Sequence, residues 1–459
     1  MIRLGRIVVL GLALVVGFSL LMILAYSLPE APIRSHMGTS LGQLELEGHP
    51  YVPLVGLYSL MPDNFTDAVM LNESISAATS PVEAAFGNYA RVIEDPTGEW
   101  MPLESLRQAI AGSGGEQRSY ARYWHGYQVA LRPLLMVFDY RAIRWLNAIL
   151  LAACVAAVSV LLRYRLGMGT AVALLIALGL AGIVIVPMSI QFSGVFYVAL
   201  AGSAFVALGM DRRGAFRFGL ETFFVLGALT CFVDLLTAPV LTLGIPLVVL
   251  TLGRMSSEED STFNRQLLCS AKMSLAWTIG YLGCWISKWT LSSLVLGRNL
   301  FGEVVANVVY RANGAEAGVV FERGDTIVHN VAMLFPLFGF GQSVGLQWGV
   351  VAAACAIPVA LALVVMVQLA RHPRTDGRRS RILGLLPVGV LPIAWYLVAN
   401  NHSAVHYWFT YRALAVTVFA AVAGALYLFD PGYLRGLKAG VEGRLRRPPE
   451  GGGSAAGSS

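Results

Sequence analysis

The sequence predicts an all-α polytopic membrane protein with about ten transmembrane helices, and with a large, partly helical extracytoplasmic loop after the first span. Three observations predict it. Of 459 residues, 56% are hydrophobic and 13% charged, more apolar side chain than a soluble core of this size hides. The apolar residues form continuous runs, several near the roughly 18 residues that cross a bilayer as a helix. When the runs are threaded in order, every basic cluster in a short loop falls on one side, which becomes the cytoplasmic side. Continuous runs exclude the alternating pattern of a membrane barrel, and lipid then leaves helices to satisfy the backbone.

The elements follow in order. Arg3 and Arg6 precede an apolar run at 7–28. It exceeds the roughly 7–15 residues of a secretory signal core, so it reads as an uncleaved first span with a cytoplasmic N-terminus. Residues 29–140 carry more Asp and Glu than Lys and Arg and read as the outer loop. A helical bundle follows at 141–430, with expected spans near 143–162, 168–186, 194–209, 218–233, 238–252 and 267–286. A second outer stretch, 289–348, holds a surface or re-entrant helix near 327–340. An eighth span reaches Arg371, a ninth covers 382–398, and a tenth ends near Phe429. The segment 431–459 is a basic cytoplasmic tail with a disordered Gly/Ser end.

The formal net charge is +6. Topology accounts for it, so nucleic acid is not an expected partner. The five cysteines (Cys154, Cys231, Cys269, Cys284, Cys355) sit in or beside apolar runs, without a disulfide framework or zinc spacing.

The outer loop carries helix signals. Asn64 reads as a cap with Asp67 three residues on, and Ser80-Pro81-Val82-Glu83 as a capping box. A third short helix runs over 102–110, closed by Gly112. Tyr120, Tyr123, Trp124 and Tyr127 follow helical spacing, which suits an aromatic stripe at headgroup level. The plain reading is an interfacial anchor; the sharper one adds His125 and Arg132 as ligands for a lipid phosphate.

Three further features face outward. In 400–412, His402 and His406 share a helix face, with Tyr411 and Arg412 beyond them. Ser403 stands where a zinc-protease motif needs Glu, and a third ligand is missing, so no metal site is expected. Arg412 at the mouth of a span suits a phosphate oxygen; the alternative is an aromatic belt with incidental polar neighbours. Asp234 sits between two spans, as a helix cap or as a functional acid near membrane depth. Lys288 either snorkels outward or meets an anionic headgroup. Asp67 is the candidate general base, with first-turn capping as its structural alternative. No P-loop, nucleotide-binding glycine fingerprint or serine elbow is present, so ATP-driven chemistry is not expected.

Together these residues resemble the GT-C superfamily of integral-membrane glycosyltransferases. The likeness rests on the first span, the outer loop with its acidic residues, the stretch from Arg132-Pro133 to Asn147, and the polar segment from Asn401-His402-Ser403 to Arg412. It departs in one respect. Many members carry an acidic pair soon after the first span, whereas Asp63 and Asp67 lie more than thirty residues downstream, with Asp95 as an alternative. The resemblance implies a bacterial plasma-membrane enzyme for cell-envelope glycan assembly. Its donor would be a polyprenyl-phosphate sugar, its tail in lipid and its phosphate at Arg132, His402, His406, Arg412 or Lys288. Asp67 would deprotonate the acceptor hydroxyl. Membrane lipids are the other expected partners. No cofactor is implied, and a divalent metal requirement is left open. The alternatives are a transporter or flippase of lipid-linked saccharides, an envelope polymerase or ligase, and a non-catalytic scaffold. The want of an internal repeat and the gathering of polar residues at one face favour surface chemistry.

Overall fold

The structure, a computed structural model, describes residues 2–48, 51–54, 57–75, 78–211, 214–255, 262–313, 321–335 and 381–428. These residues are mostly helical, with one two-stranded antiparallel ribbon that pairs β1 (Tyr89–Val92) with β2 (Glu116–Ser119). Four helices are long and apolar enough to cross a membrane: Gly5–Tyr26 within α1 (Ile2–Tyr26), α7 (Tyr140–Leu166), α9 (Ile190–Gly209) and Tyr407–Leu428. Shorter apolar helices accompany them: α8 (Met168–Leu180), α10 (Gly219–Val233), α11 (Val240–Arg254) and the stretch Leu383–Val398. The long α12 (Phe263–Leu296) runs without a break. Large apolar side chains line the outside of the bundle, among them Val9, Leu12 and Val16 on α1 and Ile149 and Leu150 on α7. Such faces suit lipid rather than water.

Two expected spans are shorter or broken. The third stops at Leu180 and gives way to a turn and the 3₁₀ segment Val186–Met188. The ninth comes in three pieces, Leu383–Leu385, Leu386–Gly389 and Leu391–Val398. Pro387 and Pro392 each restart a helix in its first turn, because proline supplies no amide for a continuous ladder. The expected surface helix near 327–340 is helical over Arg323–Ala332; its end beyond Phe335, the expected eighth span and the tail 431–459 lie outside the described residues.

The segment read as the outer loop folds as a small layer on the bundle. Its first element, α2 (Glu30–Glu47), is a helix the sequence reading passed over. Pro32, Gly38 and Gly42 mask it, yet Ile33, Met37, Leu41 and Leu44 form a buried stripe at helical spacing. Next comes α3 (Asn64–Glu73), whose cap is Asp63 and not Asn64: the Asp63 carboxylate accepts from Thr66 N at 2.9 Å. In α4 (Pro81–Gly87), Ser80 caps as expected, accepting from Glu83 N. The Glu83 carboxylate turns back one residue further than a capping box requires, to Thr79. α5 (Pro102–Ala111) ends at a left-handed Gly112, as expected.

The expected aromatic helix at 120–127 does not form. The chain turns there instead, with His125 at φ 55°. Gly126 N donates to Phe232 O at 2.8 Å, and a Cβ on Gly126 would lie 2.4 Å from that oxygen. Close backbone docking against the end of α10 thus overrides the helical spacing. The Arg132-Pro133 stretch forms its own short helix, α6 (Gln128–Leu135), before Asp139 caps α7.

Inside the bundle, α10 and α12 touch backbone to backbone. A Cβ on Gly227 would stand 2.0 Å from Trp277 O, and one on Gly280 2.0 Å from Phe224 O. Small residues permit such approach where lipid supplies no hydrophobic drive. Gly227→Leu and Gly280→Leu are therefore expected to destabilise the purified protein by about 3 kcal/mol or more, read as a lower unfolding midpoint. Gly283→Ala, on the same helix but with nothing within 4 Å, is expected to leave the midpoint unchanged.

Candidate functional site

The outer layer meets the bundle at the start of α3. Asp63 and Asp67 sit one turn apart there, both buried. Asp67 faces the first turn of α9. Its carboxylate accepts from Ile190 N at 3.0 Å and Gln191 N at 3.3 Å, and from the Tyr140 hydroxyl. It thus caps a helix from a remote position, where free amides and the helix dipole favour negative charge. Ser189, in the local cap position, uses its hydroxyl to accept from Asp63 N at 2.8 Å. Burial raises the Asp67 carboxyl to about 6, against the lowering pull of Arg144, Tyr140 and the two amides.

Asp63 is less committed. Each oxygen receives one hydrogen bond, Oδ1 from Thr66 N at 2.9 Å and Oδ2 from the Thr66 hydroxyl at 2.8 Å. Burial pushes its carboxyl up to about 7; Asp67 adds to the rise, while the Thr66 bonds and Arg412 oppose it. Around the pair, Arg144 bridges Glu47 and Asn64, donating to Asn64 Oδ1 at 3.1 Å.

The last described span closes this site. Tyr411 OH and Arg412 Nη2 both donate to Ser59 O, at 3.1 and 3.3 Å. The Arg412 guanidinium also donates to Trp408 O and lies 4.3 Å from the Phe192 ring centroid. Arg412 is fully buried. Sequence reasoning put it at the mouth of a span; the structure seats it inside, within the field of Asp63.

A second polar cluster gathers around His402 and His406. His402 Nε2 donates to Leu236 O at 2.8 Å, which fixes Nδ1 as an acceptor, and Arg311 Nη1 donates to Nδ1 at 2.5 Å. Desolvation first, then the charge of Arg311, holds the His402 imidazole neutral. His406 is half-buried, packs against His402 with ring centroids 4.8 Å apart, and stacks on Phe409. Arg311 lies on α13 (Phe301–Asn313) and forms no ion pair among the described residues. The sequence reading missed it, since its partner stands 91 positions away.

The remaining expected ligands do structural work. Arg132 donates to Ala25 O at 2.8 Å, to Leu28 O at 3.2 Å and to Ser74 O, so its guanidinium is spent on main-chain carbonyls. His125 Nε2 donates to Tyr120 O at 2.9 Å, and Nδ1 lies 2.9 Å from the buried Glu73 carboxylate and 2.7 Å from Tyr127 OH. Lys288 is fully buried and neither snorkels nor faces a headgroup. Its Nζ donates to Ala85 O, Phe86 O and Asn88 Oδ1 at 3.1, 3.2 and 2.7 Å, closing the C-terminus of α4. Asp234 accepts from Thr237 N at 2.9 Å and so braces the turn before α11; its second oxygen has no partner among the described residues. No three His, Cys, Asp or Glu side chains converge in metal-holding geometry among the described residues.

Lys288→Ala strands two buried acceptors, Ala85 O and Asn88 Oδ1, and leaves Phe86 O to Ser292 alone; it is expected to cost about 2–4 kcal/mol of stability, seen as a lower unfolding midpoint. A ligand-binding lysine would instead change affinity for anionic lipid while the midpoint held.

No family model, curated protein or solved structure matches the chain.

Proposed function

We propose that the protein is a ten-span membrane glycosyltransferase of the GT-C kind, with cytoplasmic termini. It moves a sugar from a polyprenyl-phosphate donor to an acceptor at the outer face of the membrane, for cell-envelope glycan assembly. One observation carries the reading most: the Asp63 carboxylate, buried within the field of Arg412 where the outer loop meets the spans, is held at about 7. A carboxylate near the operating pH with spare acceptor capacity is suited to general-base work. Asp63 takes that role in place of Asp67, whose oxygens are committed to Tyr140 and the α9 amides.

In the reaction, the acceptor hydroxyl attacks the anomeric carbon and its proton passes to Asp63. The bond from that carbon to the phosphate oxygen breaks, and polyprenyl phosphate leaves with the electron pair. Arg311, oriented by His402 and flanked by His406, supplies the fixed cation for the phosphate. A transporter needs charged groups free to exchange partners along a path, whereas Arg132 and Lys288 are tied to main-chain carbonyls.

A transfer assay with polyprenyl-phosphate sugars tests the roles. Asp63→Asn is expected to lower kcat about 10²–10⁴-fold with little change in KM for the donor; full retained activity would remove Asp63 from the base role. Arg311→Ala is expected to raise KM for the donor and to weaken binding of the product polyprenyl phosphate.

The pH profile follows from the same group. Asp63 must be ionised to accept a proton, so kcat is expected to rise with pH through about 7 and then level off. Stability runs the other way. The folded carboxyl holds its proton to about 7 against an ordinary 3.8, so folding loses stability as pH rises between the two. Asp63→Asn is therefore expected to unfold at a higher temperature than the parent at pH 8, and the gap should close near pH 4.

A further inference from the structure

A row of aromatic rings leads from Asp63 out over the extracytoplasmic layer. Phe65 follows Asp63 within the first turn of α3. Tyr51 lies parallel to it, with ring centroids 6.1 Å apart and planes 12° apart, and is the more exposed of the two at 39%. On its other side Tyr51 packs against Trp408, centroids 5.3 Å apart, which ties the row to the span that carries Arg412. Past Phe65 comes Trp100 at 5.9 Å, set edge-on with its plane 78° away, and past Trp100 comes Tyr120 at 6.4 Å, again edge-on at 75°. Phe65, Trp100 and Tyr120 are each half-buried.

These rings are not a core that failed to close. Trp100 Nε1 donates to Ser105 Oγ at 3.0 Å, so its polar edge is satisfied inward. Hydrogen bonds hold the loop before it: Asp95 accepts from Thr97 N at 2.8 Å and Glu99 N at 2.9 Å, and Glu94 and Trp100 bridge across it. Thr97 and Glu99, just before Trp100 in the chain, are exposed. A half-open aromatic floor with polar groups at its rim matches a particular chemistry. The axial C–H face of a pyranose is weakly positive and meets the negative face of an aromatic ring, while its hydroxyls need donors and acceptors around the edge. A lipid tail would leave that rim unsatisfied.

We propose that Tyr51, Phe65 and Trp100 form an acceptor platform on which a saccharide chain stacks, presenting its terminal hydroxyl to Asp63. The inference rests on the transferase reading for the identity of the ligand. It adds the acceptor class: an oligosaccharide or polysaccharide end, longer than one sugar, and not a peptide or a free lipid. Tyr51 and Phe65, nearly parallel, offer the stacking faces, and Trp100 stands across them as a wall.

The test uses the full chain in nanodiscs. Maltohexaose, cellohexaose and mannohexaose are titrated by calorimetry and by tryptophan fluorescence, with glucose as the single-sugar comparison. At least one hexasaccharide is expected to bind, at least tenfold tighter than glucose. Trp100→Ala and Tyr51→Ala are each expected to weaken it tenfold or more, Trp100→Phe to retain it within threefold, and Trp145→Ala, an exposed ring on α7, to change nothing. Tyr51→Ala, at an exposed position, keeps the test decisive if Trp100→Ala fails to fold. Absence of binding by all three hexasaccharides, or binding indifferent to Tyr51 and Trp100, overturns the platform. The transfer assay separates this from the parent reading. Ring-dependent binding without sugar transfer upholds the platform and sinks the transferase; transfer with acceptor KM unchanged in both variants sinks the platform alone.

Discussion

The structure depends on one constraint: helix ends that meet at the junction of the outer layer and the bundle must satisfy their backbone groups away from water. Four carbonyls at each helix C-terminus and four amides at each N-terminus lack partners within the helix. At this junction the partners are ionisable side chains from distant sequence. Arg132 takes the carbonyls at the end of α1 and just past α3. Lys288 takes those at the end of α4, with Ser292 sharing Phe86 O. Asp67 takes the amides at the start of α9. His402 takes Leu236 O, at a residue held at φ 68° in the turn between α10 and α11. Each is a charged or polar anchor whose loss would strand several groups at once.

This changes how an ionisable residue near membrane depth is weighed. Burial and charge alone do not separate a ligand from an anchor, because both are buried and both are charged. Unspent hydrogen-bonding capacity narrows the choice, and it leaves Asp234, whose second oxygen has no partner among the described residues, beside Asp63. Arg132 and Lys288 have little left, and Asp67 little more. Asp63 keeps a free direction on each oxygen, and Arg311 has only a neutral imidazole as its hydrogen-bonded partner among the described residues. Chemistry belongs with the groups that the fold has not used up.

Much of the fold was legible in the sequence because its signals are local. The apolar runs, the Ser80-Pro81 helix start and the Gly112 stop depend on residues within a turn or two, and the structure has them. Pro387 and Pro392 were equally visible, but a hydropathy window averages over them and so reads one span where the helix restarts. The 120–127 stripe misled for the opposite reason. Its spacing is helical, but the chain there is set by Gly126 docking on Phe232 O, more than a hundred positions away. The candidate site was legible only in residue type. That Asp67 serves α9 rests on contacts 123 and 124 positions apart, and no local pattern encodes them. For the same reason Arg311 could not be singled out.

The stitch between Asp67 and α9 also gives a reason for an anchor and the proposed base to stand one turn apart. Asp63 sits at the cap of α3, where a small tilt of the helix would swing its carboxylate away from Arg412. Asp67, fixed to the α9 amides and to Tyr140 on α7, prevents that tilt, and Ser189 holds the Asp63 backbone from the same α9 terminus. The carboxylate is thereby referenced to two helices of the bundle rather than to its own loop. The proposed base for a lipid-borne substrate would benefit from that arrangement, since the bundle would fix the depth at which such a substrate arrives. Placement within fractions of an ångström is what catalytic geometry demands, and a short outer helix gains that accuracy only by being pinned to the spans.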